Sequence, residues 1–187
     1  MQCIGDGYVR SEGAAAVLLL KAKNAKRVYA NVLAAGSNCD GYKDEGITFP
    51  SYEMQVKLFS HVANLAGIDP KTIDFMEAHG SATRVSMFSF CHLKLFPRAN
   101  IKYFQVGDPQ EMNAVTEVFT KGRKGPLRTG SVKSNMGHGE PASAISAIIK
   151  ICLAMECGIL PPNLHYNVPN PDIPALSDGR LKVCEKN

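Results

Sequence analysis

Residues 129–150 read TGSVKSNMGHGEPASAISAIIK. A short run with strand character, Leu127 to Val132, comes up to a turn rich in Gly, Ser and Asn, and His138 stands at the end of that turn. Pro141 then falls in the first turn of a helix, where its missing N–H costs nothing. That helix is apolar nearly all round (Ala142, Ala144, Ile145, Ala147, Ile148, Ile149, Ile151), the pattern of a buried helix rather than a surface one. A histidine at the N-terminus of a buried helix faces unpaired N–H groups and the positive end of the dipole. That field disfavours imidazolium, so the ring is expected to be neutral and able to donate a hydrogen bond to developing negative charge. A basic residue, Lys133, and an acidic one, Glu140, flank it. The stretch has the makings of a site.

Working outward, Ile73 to Ala78 (IDFMEA) predicts a strand that brings Glu77 and His79 to its C-terminal end, where ligands bind in open α/β sheets. Before it, Ser51 predicts an N-cap for a helix over Tyr52 to Ala66. Met54, Leu58, Val62 and Leu65 repeat at helical spacing there, and Gly67 with Pro70 ends it. His61, on that helix, reads as structural or surface. The polar loop 36–50 reads equally as a substrate entrance or as a solvated excursion. Earlier still, Ala14 to Lys21 and Val28 to Ala35 are short continuous apolar runs that fit strands covered on both faces.

Between the two histidine turns, Asp108 predicts an N-cap, with Pro109 in first position and Glu111 completing a capping-box-like start. Met112, Val115, Val118 and Phe119 then form a buried stripe that Gly122 stops. Lys121, Arg123 and Lys124 make a small basic patch, most often a favourable helix C-terminus. The Pro- and Asn-rich tail 160–183 predicts an irregular packed loop that ends at the start of another strand, with His165 a structural residue within it.

One segment breaks the pattern. Residues 85–105, VSMFSFCHLKLFPRANIKYFQ, have no stable period, include a proline, and hold four of the eight phenylalanines, three basic residues, no acidic ones and His92. Composition this unlike its surroundings suggests an insert of another origin, and a retained intron is the favoured source. Every Val codon begins GT and Gln can be encoded by CAG, matching the usual intron borders. A lineage-specific loop is the rival reading.

The totals narrow the class. At 187 residues, with 45% hydrophobic and 20% charged residues, the chain suits one soluble globular domain. A net charge of +4 with no long basic run gives no case for nucleic acid, and no apolar run is long enough to span a membrane. Six cysteines without CxxC pairs or zinc-like spacing read as reduced cytosolic thiols rather than a metal site. No dinucleotide or phosphate-loop fingerprint is present.

Five stretches stand in a telling order: NCDGYKDEGITFPS (38–51), EAHGSAT (77–83), VGDPQE (106–111), KSNMGHGEPAS (133–143) and PNLHYNVPNPDIPAL (162–176). Together they resemble the β-ketoacyl synthase domain of animal-type fatty acid synthase, across nearly the whole chain apart from 85–105, and the wording favours that branch over polyketide synthases. The resemblance implies a thiolase-like layered α/β fold, mostly its C-terminal half, and a decarboxylative Claisen condensation in fatty acid biosynthesis. On matching positions His79 and His138 would bind the malonyl thioester carbonyl and assist loss of CO₂. Lys133 and Glu140 would hold His138 and local water in place, and Thr83 would line the pantetheine channel.

The resemblance implies no directly bound cofactor and no metal. Substrates would arrive as malonyl and acyl thioesters on the phosphopantetheine of an acyl carrier protein, within a cytoplasmic homodimer. Lys121, Arg123, Lys124 and Arg128 could help to dock that acidic carrier. Three departures from the family pattern bear on activity. None of the six cysteines lies in the family's nucleophile motif, so the isolated chain is expected to be inactive in condensation, and a noncatalytic fragment keeping dimer or carrier contacts is the alternative. HGSAT replaces the usual HGTGT, so that Ala82 stands for a glycine. The 85–105 insert separates two normally contiguous motifs and is expected to displace the site.

Overall fold

A computed structural model describes residues 7–47, 49–82, 84–86 and 103–185. Thr83 and most of the 85–105 segment, including His92, lie outside the described residues.

Helix α1 (Tyr52–Ala66) forms where its caps predict. Ser51 Oγ accepts the Met54 N–H at 3.2 Å, and Gly67 closes the helix in the left-handed region at φ 65°. Strand β1 (Phe75–Glu77) follows, then a two-stranded antiparallel ribbon of β2 (Arg84–Ser86) and β3 (Tyr103–Gln105). Next come helix α2 (Gly107–Phe119), strand β4 (Leu127–Gly130), a single helical turn α3 (Lys133–Met136) and helix α4 (Ser143–Cys157). The short α5 (Pro174–Ser177) and strand β5 (Leu181–Val183) complete the order.

The main sheet is parallel throughout, in the order β1-β4-β5, with Glu77 opposite Gly130 and Thr129 opposite Val183. Alternation along the strands sends Leu127 and Thr129 to one face, Glu77 and Gly130 to the other. The first face carries the core: Met112, Val115 and Phe119 of α2 cluster with Leu127, Ile173, Leu181 and Val183, and Phe59 of α1 packs against Phe119 with ring centroids 5.7 Å apart. Helix α4 is tied to the second face by Lys150, which reaches Glu77 at 2.7 Å. The result is helix, sheet and helix in layers, an α/β arrangement.

Three sequence expectations fail in instructive ways. Residues 14–20 and 28–35 form no strand among the described residues, and Leu18, Leu19, Val32 and Leu33 are exposed. An apolar run reports a need for burial, whereas a strand also needs a partner to complete its hydrogen-bond ladder, and none of the described strands supplies one. Helix α4 is not buried all round: Ser143, Lys150 and Ala154 are covered while Ile148, Leu153 and Met155 face outward. Asp108 is not an N-cap either, because α2 begins one residue earlier and the buried Asp108 carboxylate points at another loop.

Candidate active site

Parallel pairing of β1 with β4 brings both histidine turns to the same end of the sheet. Just past the ladder the Ala78 N–H donates to Gly130 O at 2.8 Å, and Ser131 Oγ donates to the carbonyl of His79 at 3.0 Å. Glu77 spans the junction: one carboxylate oxygen accepts the Val132 N–H and the other takes the Lys150 ammonium, with both side chains about nine-tenths buried. Asn163 Oδ1 secures the second turn by accepting from Ser131 N at 2.9 Å and Ser134 Oγ at 3.0 Å.

The His79 turn is held by carboxylates of α2. Glu111 accepts the N–H groups of His79 and Gly80 at 2.6 and 3.0 Å, and Asp108 accepts that of Ala82 at 2.9 Å. The capping-box signal in VGDPQE therefore serves a neighbouring loop rather than its own helix, a use that sequence proximity could not reveal. Ala82 sits at φ 52°, so the alanine that stands for a glycine occupies a left-handed position and carries strain. The 85–105 segment was expected to displace the site; among the described residues Arg84 pairs with Gln105 at the base of the β2–β3 ribbon, and the turn keeps its bonds to Glu111 and Asp108. Replacing Glu111 with alanine should strand two backbone donors and cost about 1–3 kcal/mol in urea unfolding. An unchanged midpoint would refute the clamp.

His138 is held from the other end of the chain. Its N–H donates to Val9 O at 2.8 Å and its carbonyl accepts the Ser11 N–H at 3.1 Å, a one-residue parallel bridge. Gly137 makes this approach possible, at φ 79°, because a Cβ there would lie 2.9 Å from Val9 O. The Glu140 N–H donates to His138 Nδ1 at 3.1 Å, so the proton of the neutral ring resides on Nε2. Tyr8 lies edge-on to the ring, centroids 4.6 Å apart, and its hydroxyl donates to the Glu140 carboxylate at 2.9 Å. On the other side His79 meets His138 nearly perpendicularly, centroids 5.2 Å apart.

Both rings have pKa values below the ordinary histidine value, first through burial and then through the nearby Lys133 charge; for His79, His138 adds to the effect. Neutrality was expected from a helix dipole, but α4 starts five residues after His138 and a 3-10 turn (Glu140–Ala142) intervenes. Lys133 is itself lowered by burial, opposed by Glu111, Glu77 and Asp108. Burial also pushes the Glu111 carboxyl up, against its two N–H bonds.

The depressed histidines make a signed prediction. The unfolded chain binds their protons more readily, so their contribution to stability is present above pH 6.5 and is lost as the pH falls below it toward the folded values. Glu111, raised, acts with opposite sign above its ordinary 4.5. Comparison with a His79→Gln, His138→Gln variant isolates the histidine share. NMR titration should place both imidazole midpoints below 6.5, and a midpoint at or above that value would reject the field described.

A cleft of about 520 Å³ is walled by Tyr8, Gly80, Ser81, Lys133, Gly137 and His165, chain neighbours and contacts of the two histidines, though neither His79 nor His138 lines it. His165, expected to be structural, is exposed on this wall at φ 57°. Glu140, at φ 48°, holds His138 through its backbone N–H rather than its carboxylate, which faces Tyr8 and Arg10. Two members of the basic patch are engaged within the fold: Arg123 donates to the carbonyls of Lys71 and Ile73 at 2.7 and 2.5 Å, and Lys121 pairs with Glu117. Tyr8, Glu111, Asp108 and Lys150 were not among the sequence candidates. Thr83 lies outside the described residues. No group of His, Cys, Asp and Glu suited to a metal ion occurs among the described residues, and none of their helices is long and apolar enough to cross a membrane.

Solved structures similar to this chain include ketosynthase domains. The oxazolomycin ketosynthase domain from Streptomyces albus superimposes with a TM-score of 0.79 at 28% identity, over 99% of this chain and 30% of its own. The ketosynthase of module 1 of the bacillaene synthase from Bacillus amyloliquefaciens gives 0.68 at 28% identity, over 85% and 25%. The fold is thus the thiolase-like layered α/β fold of ketosynthases. At the sequence level, the family Beta-ketoacyl synthase, C-terminal domain, matches residues 29–86 and 104–167, and the chain belongs to that family. The match breaks inside the 85–105 segment.

The chain is 43% identical over 155 residues to a fatty acid synthase of the goose Anser anser anser, covering 83% of the chain and 38% of that relative. It is 40% identical over 174 residues to a hybrid PKS-NRPS synthetase of Aspergillus niger, covering 91% and 4%. The chain therefore spans well under half the length of these relatives.

Proposed function

We propose that this chain forms the decarboxylating part of a ketosynthase site, of the fatty acid synthase type, working on malonyl and acyl groups carried as phosphopantetheine thioesters on an acyl carrier protein. The observation that carries this reading is the edge-on His79–His138 pair, held neutral, with His138 offering Nε2–H. In the proposed reaction the bond between the malonyl α-carbon and its carboxylate breaks and CO₂ leaves. The electron pair passes into an enolate whose oxygen takes hydrogen bonds from the two rings. The enolate carbon then attacks an acyl thioester on a cysteine, the new C–C bond forms, and the thiolate departs. Burial, with the Lys133 charge beside it, disfavours protonation of both rings; Glu140 orients His138, and Thr83 would contact the pantetheine arm.

None of the chain's cysteines lies in the family's nucleophile motif, so condensation is proposed only for an assembly in which such a cysteine is present. That assembly would be a cytoplasmic homodimer. The exposed apolar runs at 14–20 and 28–35, with the outer face of α4, support a larger body around this one. The similar identity to polyketide-type relatives favours a second reading, a polyketide ketosynthase, which a panel of acyl primers would separate. The 85–105 segment is proposed as an addition of other origin, a retained intron being the favoured source. The test is a goose fatty acid synthase in which the matching segment is replaced by residues 29–167 of this chain. Release of CO₂ from malonyl-acyl carrier protein is expected, and a folded chimera that releases none would overturn the proposal.

A further inference from the structure

Three non-glycine residues among those described have positive φ: Ala82 at 52°, Glu140 at 48° and His165 at 57°. All three border the histidine pair or its cleft. Such conformations persist only where surrounding contacts over-determine them. For Glu140 the contacts can be named. Its carboxylate accepts the Tyr8 hydroxyl at 2.9 Å and lies 3.6 Å from Arg10. Its carbonyl accepts Ser143 Oγ at 2.8 Å, and its N–H is spent on His138 Nδ1 at 3.1 Å.

The hydrogen bonds therefore form a chain. With the chain held on both sides, relaxing φ at residue 140 would turn the 139–140 peptide plane and swing its N–H off the imidazole. Tyr8, 132 residues earlier, grips the side chain of that residue. Tyr8 also stands edge-on to the His138 ring it serves, which limits rotation of that ring. Arg10 is mostly exposed and at the limit of an ion pair, so the hydroxyl is the stronger tether.

We propose that Tyr8 is a positioning residue that acts through Glu140, holding its left-handed backbone so that the residue-140 N–H fixes His138 as the Nε2–H tautomer. Its catalytic meaning rests on His138 being the donor to the enolate. The hydrogen bond can be read without any turnover, so failure here and failure of the proposed function are separable.

The test uses the 187-residue chain labelled with ¹⁵N. An N–H···N hydrogen bond transmits a scalar coupling between its two nitrogens, and the ring nitrogen shifts report the tautomer. The wild-type chain is expected to show coupling between the residue-140 amide and His138 Nδ1, with a single Nε2–H signature. Tyr8→Phe keeps the ring, removes the hydroxyl, and should lose the coupling while the ring relaxes toward the two-tautomer mixture of free imidazole. Glycine adopts positive φ readily and needs no tether. Adding Glu140→Gly to Tyr8→Phe should therefore restore the coupling even though the carboxylate is gone. A merely structural role for Tyr8 would not be rescued by deleting its partner. Coupling that survives in Tyr8→Phe, that is missing from the wild-type chain, or that does not return in the double variant overturns the proposal.

Discussion

Replacing Lys150 with methionine is expected to destabilise the folded chain by about 3–5 kcal/mol, the usual range when one partner of a buried ion pair is removed. The Lys150 ammonium and the Glu77 carboxylate meet at 2.7 Å with both side chains almost wholly shielded from water. Methionine preserves most of the apolar stem but leaves Glu77 charged, buried and short of its counter-ion. Folded domains have net stabilities of only about 5–15 kcal/mol, so this loss takes a large share. The effect should reach beyond stability, because Glu77 also accepts the Val132 N–H immediately before Lys133.

The control is the double replacement Glu77→Gln, Lys150→Met. Neutral glutamine retains an acceptor for Val132 and removes the stranded charge, so much of the loss should be recovered. Urea unfolding measures all three variants, and a constant slope with denaturant would show that only stability has changed. Were Lys150→Met alone to unfold within 1 kcal/mol of the parent, roughly the worth of an exposed pair, the pair would not be the buried clamp described.

The second large effect concerns chemistry. In the goose chimera, His138→Ala should lower the rate of CO₂ release about 10²–10³-fold, the typical loss when one donor to a developing oxyanion is removed. His79→Ala should act similarly. The double variant should be little worse than either alone, because groups that act on one oxygen are not independent. Substrate affinity should change much less than turnover, since the donors gain strength mainly as charge builds on the oxygen. If decarboxylation continued unchanged without His138, the ring would be a structural residue and the proposed role would fall.

Much of this site is written locally. The turn sequences around His79 and His138, the strand before each, and the N-cap of α1 can be read from short windows, because capping, turn chemistry and periodicity act over a few residues. The misreadings share one cause. The carboxylates at 108 and 111 have the spacing of a helix cap, and nothing local says that a loop about 30 residues upstream will present its N–H groups to them instead. The apolar face of α4 likewise signals burial without naming what covers it.

The sequence by itself determined the three long helices, that two histidines follow two strands, and that the composition of 85–105 differs from that of its surroundings. Only the tertiary structure decided that the histidine rings meet edge-on at 5.2 Å, that Glu77 reaches Lys150 across 73 residues, and that Tyr8 reaches Glu140 across 132. Local propensity depends on each residue and its near neighbours in the chain. Tautomer, burial and electrostatic field depend on which distant groups the parallel pairing of β1 and β4 brings within a hydrogen bond of one another.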